Sequence, residues 1–249
     1  MSIESTADWD GLRRVSRVVR LTLDALEAAV RPGRTTSELD AIARHVFRSH
    51  GATSAPADVY RFPGTALISL NDEVVHGVPG RRRIERGDLV KLDVTAALDG
   101  YVADAARTVI AGESAGSDTA RRLRDCAVAA FSRAVRVARA GNPVSAISRE
   151  VEVEVHARGF RVARGLEGHG VGRTIHEAPR VPNCFDPTQS DMLTDGLVLA
   201  IEPIVTAGSE DVKLAGDGWT IRTCDGGLSA HYEHTIVITT GAPVILTAA

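Results

Sequence analysis

No two cysteines in this chain stand at CxxC spacing; Cys126, Cys184 and Cys224 lie far apart. That excludes a cysteine-rich zinc module and fits a reducing compartment, with each expected as a buried thiol. No run approaches the ~18 apolar residues of a membrane span. The N-terminus carries Glu4, Asp8 and Asp10 with no apolar signal region behind them, so nothing marks it for export. Charge of one sign is also lacking: 29 Lys and Arg face 32 Asp and Glu, for a formal charge of -3. No basic field argues for nucleic acid and no polybasic helix for a membrane surface. What is present is core material, 44% apolar residues in a chain of 249, enough for one large domain or two small ones. A cytoplasmic globular protein that recognises its substrate locally is expected.

Between Asp8 and Arg31, Leu12, Val15, Val19, Leu23, Leu26 and Val30 recur at three and four, predicting an amphipathic helix that Pro32-Gly33 ends. Thr35 and Glu38 have capping-box spacing for a second helix with Leu39, Ile42, Val46 and Phe47 as its stripe and Gly51 at its end. Residues 52 to 64 read as loop and Thr65 to Asn71 as a strand. The turn-rich Asn71 to Pro79 leads through Arg81 to Arg83, read as a solvated loop. Further helices are predicted from Ser117-Asp118 to Ala140 and over about Ser145 to Arg158.

The stretch from Leu89 to Val109 places Asp93 and Asp104 on what reads as one β-hairpin, because Asp99-Gly100 between alternating apolar runs favours a two-residue loop. Leu98 then faces Tyr101 and Asp93 faces Ala106, leaving the two aspartates diagonal on one face, about 7 to 8 Å apart at Cβ. A wet hairpin face and a shared metal site both account for that pattern. The halves of the chain also echo each other. Gly33, Ser37, Leu39 and Gly51 recur as Gly141, Ser145, Ile147 and Gly159, each 108 positions later. Gly87 leads to Asp93 by six residues as Gly196 leads to Glu202. A duplicated helix-helix-strand unit would bring an acid of each half to a shared axis.

In Gly168 to Glu177, His169 and His176 stand among three glycines, a composition that excludes a stable helix and lets backbone approach a bound group. Glu202, before Pro203 in the apolar run Leu197 to Val205, is expected on a strand among buried residues, where it needs either an arginine or a metal. Glu233 precedes the strand predicted over Ile236 to Thr239, and alternation puts it on one face with His231 and opposite His234. Four carboxylates and one imidazole would balance two divalent cations. Oxygen-rich ligation favours Mn, Fe(II) or Co over structural zinc, and paired ions can polarise an amide carbonyl. The chemistry implied is amide hydrolysis.

The segments NDEVVHGVP, KLDVTAALDGYVAD, GHGVGRTIHEAP, IEP and SAHYEHTIV, in that order, resemble those of the type I methionine aminopeptidases of the creatinase-like family. The resemblance implies an α+β pita-bread fold, with pseudo-twofold helix-helix-strand units around a curved antiparallel sheet. It also implies one catalytic domain over residues 1–249, with halves of about 8–110 and 117–240. It implies metal ligation by Asp93, Asp104, His169, Glu202 and Glu233, with Asp104 and Glu233 bridging. It makes Glu202 the group that handles the proton, gives His76 and His176 contact with the scissile peptide, and gives Phe62, Leu67, Ile175 and Trp219 the methionine pocket. Two divalent ions (Mn, Fe(II) or Co, with Zn tolerated) are the implied cofactors. Peptide or nascent-chain N-termini are the implied substrates of a cytoplasmic monomer that meets the ribosome transiently. The reaction implied is removal of N-terminal methionine before a small second residue. Departures at Ala105-Ala106-Arg107-Thr108, Leu67 and Phe62 keep an Xaa-Pro or specialised peptidase of the same fold as the alternative. A non-catalytic binding protein of that fold is the third reading, and it should have lost ligands.

Overall fold

The computed structural model describes residues 1–248. Helix α1 (Thr6–Ala29) starts where Ser5 Oγ accepts the Asp8 N–H. Helix α2 (Thr36–His50) starts on the predicted capping box, with Thr35 and Glu38 bonding each other's backbone, and stops at Gly51. The short α3 (Ala55–Tyr60) follows, then α4 (Asp118–Val137) and α5 (Val144–Ala157). The matched glycines of the two halves share left-handed backbone: φ is 88° and 92° at Gly33 and Gly141, 70° and 80° at Gly51 and Gly159, and 94° and 82° at Gly87 and Gly196. Each pair ends or precedes an equivalent element, which is the conformation that glycine adopts without strain.

The main sheet has nine strands: β1 (Thr53–Ser54), β2 (Leu67–Leu70), β3 (Leu89–Leu98), β4 (Tyr101–Ile110), β5 (Glu167–Gly170), β6 (Glu177–Pro182), β7 (Val198–Ile201), β8 (Glu233–Val237) and β9 (Val244–Ile245). Their order is β1-β3-β4-β8-β7-β5-β6, with β2 on β3 and β9 on β8. All these pairings are antiparallel. Asp99 and Gly100 take φ of 51° and 78°, as the two-residue loop requires. The register is the predicted one: Leu98 pairs with Tyr101, Thr95 with Asp104 and Asp93 with Ala106.

Alternation along β3 and β4 then separates two surfaces. Leu92, Val94, Ala96, Ala103 and Ala105 join Leu12, Val15, Val19 and Leu23 of α1 and Leu39 and Phe47 of α2 in one core. Asp93, Thr95 and Asp104 turn the other way, into a cavity. A second core holds Leu123 and Phe131 of α4, Ile147 and Val151 of α5, and Leu199, Ile201 and Ile236 of β7 and β8. Each of these large apolar side chains contributes about 1.5–3 kcal/mol by leaving water, so the helix-covered face anchors the sheet that carries the cavity.

Several local expectations are corrected. The segment read as loop over 52–64 contains α3, which begins at Ala55-Pro56 and ends at Arg61 in the left-handed region; six residues are too few for a helical period to show. The run Leu197 to Val205 is not one strand. It breaks at Glu202-Pro203, and Ile204–Thr206 pairs instead with Arg161–Val162 and Ser229–His231. The strand expected over Ile236–Thr239 is Glu233–Val237, so Glu233 lies inside it. The turn-rich Asn71 to Pro79 includes the strand Glu73–Val75, paired with Ile221–Thr223. Of the thiols only Cys126 is buried; Cys184 is partly covered and Cys224 exposed. No helix among the described residues is long and apolar enough to cross a membrane.

Candidate metal centre

Every site residue expected from the sequence lines a single cavity of about 230 Å³: Phe62, Leu67, His76, Asp93, Asp104, His169, Ile175, His176, Glu202, Trp219 and Glu233. Strand pairing sets their spacing. Asp93 and Glu233 both sit opposite Ala106, on either side of β4. A small residue therefore separates two carboxylates along one row. Along the next row Thr95 faces Asp104, whose backbone exchanges hydrogen bonds of 2.9 and 2.8 Å with Thr235 Oγ1, and Thr235 and His169 both face Ala200.

Donor atoms of Asp104, His169 and Glu233 lie within 4.8 Å of one another, and so do those of Asp93, His231 and Glu233. Glu233 is common to both groups. Glu202 stands between them, with Oε1 3.6 Å from His169 Nε2 and Oε2 3.7 Å from His231 Nε2. None of these four carboxylates is paired with an arginine or lysine among the described residues, so the arginine that could have explained Glu202 is not there.

The electrostatics follow from that. Burial, then repulsion among the acids, pushes the pKa values of Glu202 and Glu233 well above the ordinary range. Burial and the Asp104 charge do the same to Asp93, and burial raises Asp104 to about 6. Desolvation lowers the pKa of His169, and desolvation with a neighbouring histidine lowers those of His76 and His176, which favours neutral imidazoles. Asp104 Oδ1 and both ring nitrogens of His231 are buried without a hydrogen-bond partner. His169 Nδ1 lies 2.9 Å from the Gly170 carbonyl; donating there leaves Nε2 as a free lone pair, the arrangement of a metal-binding histidine. Uncompensated buried acids, orphaned donor atoms and an oriented imidazole fit divalent cations better than any protein partner.

The glycines around His169 have a different reason from the one expected. A Cβ on Gly168 would stand 2.3 Å from the Ala200 carbonyl oxygen, and one on Gly170 2.3 Å from that of Ala178. They admit neighbouring strands rather than a ligand. On the apolar side, Phe62 and Trp219 meet edge to face at 5.4 Å. Trp219 is held by Asp217, which accepts from the N–H groups of Trp219 and Thr220 at 2.9 and 2.8 Å. His76 has φ 59°, a strained conformation for a side-chain-bearing residue.

Of the two histidines around Glu233, His231 belongs to the site, and burial lowers its pKa to about 3. His234 faces away, bonded to Thr247 and Tyr232. Sequence reasoning missed Tyr60, Val75 and Thr95 on the cavity wall; Thr95 could have been found from the hairpin register. The Ala105 to Thr108 departure is structural. Arg107 leaves the site to pair with Asp24 and Glu27 of α1 at 2.8 and 3.0 Å. Thr108 Oγ1 donates to the His231 carbonyl and accepts its N–H, at 2.8 and 2.9 Å.

An antiparallel sheet that brings acids from both halves of the chain around two groups of candidate metal donors defines a pita-bread metallopeptidase. A model of metallopeptidase family M24 matches residues 10–240, and the chain belongs to that family. Within it, the chain is 39% identical to methionine aminopeptidase 2 of Bacillus subtilis, over 99% of each chain. It is 43% identical to methionine aminopeptidase of Clostridium perfringens, over 98% of each. The crystal structure of methionine aminopeptidase from Thermotoga maritima superposes with a TM-score of 0.95 at 32% identity, covering 99% of both chains. A prolidase from Pyrococcus furiosus shares the fold alone, with a TM-score of 0.79 at 22% identity over 65% of that chain.

Proposed function

We propose that this chain is a metal-dependent aminopeptidase that removes N-terminal methionine from peptides and proteins whose second residue is small. The observation that carries the reading is the set of four arginine-free carboxylates, Asp104 and Glu233 buried and Asp93 and Glu202 partly covered, at the wall of a cavity whose other side is apolar. Full-length relatives named methionine aminopeptidase support it. Asp93, Asp104, His169, Glu202 and Glu233 would hold two divalent cations, and Glu233 is common to both groups of donor atoms. Bound there, the cations supply Lewis acidity toward a peptide carbonyl and toward an attacking water. Oxygen donors with one imidazole suit Mn, Fe(II) or Co, and tolerate Zn.

The chain's own groups do the rest. Glu202 accepts the proton of the attacking water and passes it to the leaving amine. His176 donates to the carbonyl oxygen as negative charge develops, and His76 contacts the scissile peptide. Phe62, Leu67, Ile175 and Trp219 seat the methionine side chain, where aromatic edges favour a thioether. Asp93 and Asp104 come from the first half of the chain and His169, Glu202 and Glu233 from the second, so residues 1–249 act as one catalytic domain. A cytoplasmic monomer acting on nascent chains at the ribosome is the setting proposed with this reading; the three free thiols support its reducing compartment.

The Xaa-Pro reading is not favoured, since Arg107 and Thr108, which suggested it, have structural partners. A non-catalytic reading meets a complete donor set. The test is cleavage of Met-Ala and Ala-Pro peptides by protein reconstituted with each divalent metal in turn. Turnover of Met-Ala that EDTA abolishes is expected; a preference for Ala-Pro, or no turnover with any metal, would overturn the reading.

A further inference from the structure

Tyr60 is the last residue of α3 and stands at the cavity wall, half exposed. Its hydroxyl lies 2.6 Å from Nδ1 of His176, and the two ring centroids are 5.7 Å apart. The phenol has no other hydrogen-bond partner among the described residues. Arg61, in the left-handed region, donates its N–H to the Ala57 carbonyl at 3.1 Å and fixes where α3 ends. On its other side His176 packs against His169 at 4.3 Å between centroids, and His169 borders Glu202.

A neutral imidazole carries its proton on one ring nitrogen only. If Nδ1 donated to the phenol oxygen, Nε2 would turn a lone pair toward an oxygen that gains negative charge during the reaction. If the phenol donates, Nε2 keeps the proton and can stabilise that oxygen. Proximity to the carboxylates favours the second arrangement, since an N–H rather than a lone pair then faces negative charge. We infer that Tyr60 is a positioning residue for the proposed reaction: its O–H donates to Nδ1 of His176 and holds the imidazole as the Nε2–H tautomer. The inference rests on the reading of His176 as the donor to the peptide.

The test is Tyr60→Phe, which removes one oxygen from a half-exposed side chain and leaves the ring at the cavity wall. In the metal-free protein with 15N-labelled histidine, the wild-type His176 should show protonated Nε2 and unprotonated Nδ1 by NMR. Tyr60→Phe should show a mixture of tautomers. On a Met-Ala peptide, kcat should fall about five- to tenfold, the worth of one net hydrogen bond, with KM changed less than about twofold. Adding Tyr60→Phe to His176→Ala should lower kcat by less than about twofold, because the hydroxyl acts through the missing ring. An unchanged tautomer, an unchanged kcat, a change in KM alone or a further large loss in the His176→Ala background would each overturn the inference. A wild-type protein that cleaves no Met-Ala peptide would instead overturn the aminopeptidase reading, with the NMR comparison still deciding the role of Tyr60.

Discussion

Asp40 and Glu73 are as deeply buried as Asp104 and Glu233, with 3%, 8%, 6% and 2% exposure respectively, yet the two pairs live in opposite surroundings. Asp40 accepts the backbone N–H groups of Thr65 and Ala66 and pairs with Arg44 at 2.6 Å. Glu73 accepts the Leu70 N–H at 2.7 Å and pairs with Arg82 and with Arg222 at 2.8 Å. Asp104 and Glu233 are surrounded by further acids and neutral histidines. Even the buried Lys91, lowered to about 7 by desolvation, spends its ammonium on the Asn71 and Ser229 carbonyls and the Ser229 hydroxyl. A buried acid whose cation is supplied by the chain is part of the fold. One without such a cation marks where the cation must come from outside.

That contrast can be broken in graded ways. The largest effect is expected from Glu233→Gln, which removes the carboxylate common to both donor groups. Activity on a Met-Ala peptide should fall by about a thousandfold or more, several kcal/mol of transition-state stabilisation, and bound metal measured by elemental analysis should fall with it. Full metal content with normal turnover would remove Glu233 from the centre.

Stability should respond with opposite signs in the two regions. Asp40→Ala leaves two buried N–H groups unpaired and should lower unfolding free energy by about 2 to 4 kcal/mol. Glu202→Gln in the metal-free protein relieves the cost of burial and repulsion and should raise it. The same repulsion gives the metal-free protein a pH signature. A carboxyl whose folded pKa is raised stabilises fully below its unfolded value, and that stability is lost as pH rises through the folded value. For Asp104 the window runs from 3.8 to about 6. Melting temperature in EDTA should therefore decline across that window, and the gain on adding Mn should widen. A flat gap would mean that the acids are compensated by some other route.

The smallest effect is expected at Arg107→Ala. Its bridges to Asp24 and Glu27 hold α1 against β4 at a partly exposed position and are worth about 1 kcal/mol or less. Peptide preference and kcat should not move; a shift toward Ala-Pro would return Arg107 to the substrate question.

The first half's share of the centre, Asp93 and Asp104, was legible because it is built on a hairpin. Asp-Gly fixes the loop, the loop fixes the register, and the register puts Asp93, Thr95 and Asp104 on one face. The helix caps at Thr35 and Gly51 were legible for the same local reason. What escaped depends on distant chain. Tyr60 lies in a helix too short to show a period, Glu202 follows the end of one strand rather than sitting inside a longer one, and Gly168 makes room for the Ala200 backbone, 32 residues away. Cys224 was misread because a thiol's burial is set by the small sheet around it and not by its neighbours in the chain.

Ala106 stands opposite Asp93 on one side and Glu233 on the other, so the gap between the two acids is two interstrand spacings wide, about 10 Å between backbones. That gap is gauged by ladder hydrogen bonds, not by loop conformation. The spacing of Asp93 and Glu233 therefore has no hinge of its own: heat or denaturant should leave it unchanged until the sheet comes apart.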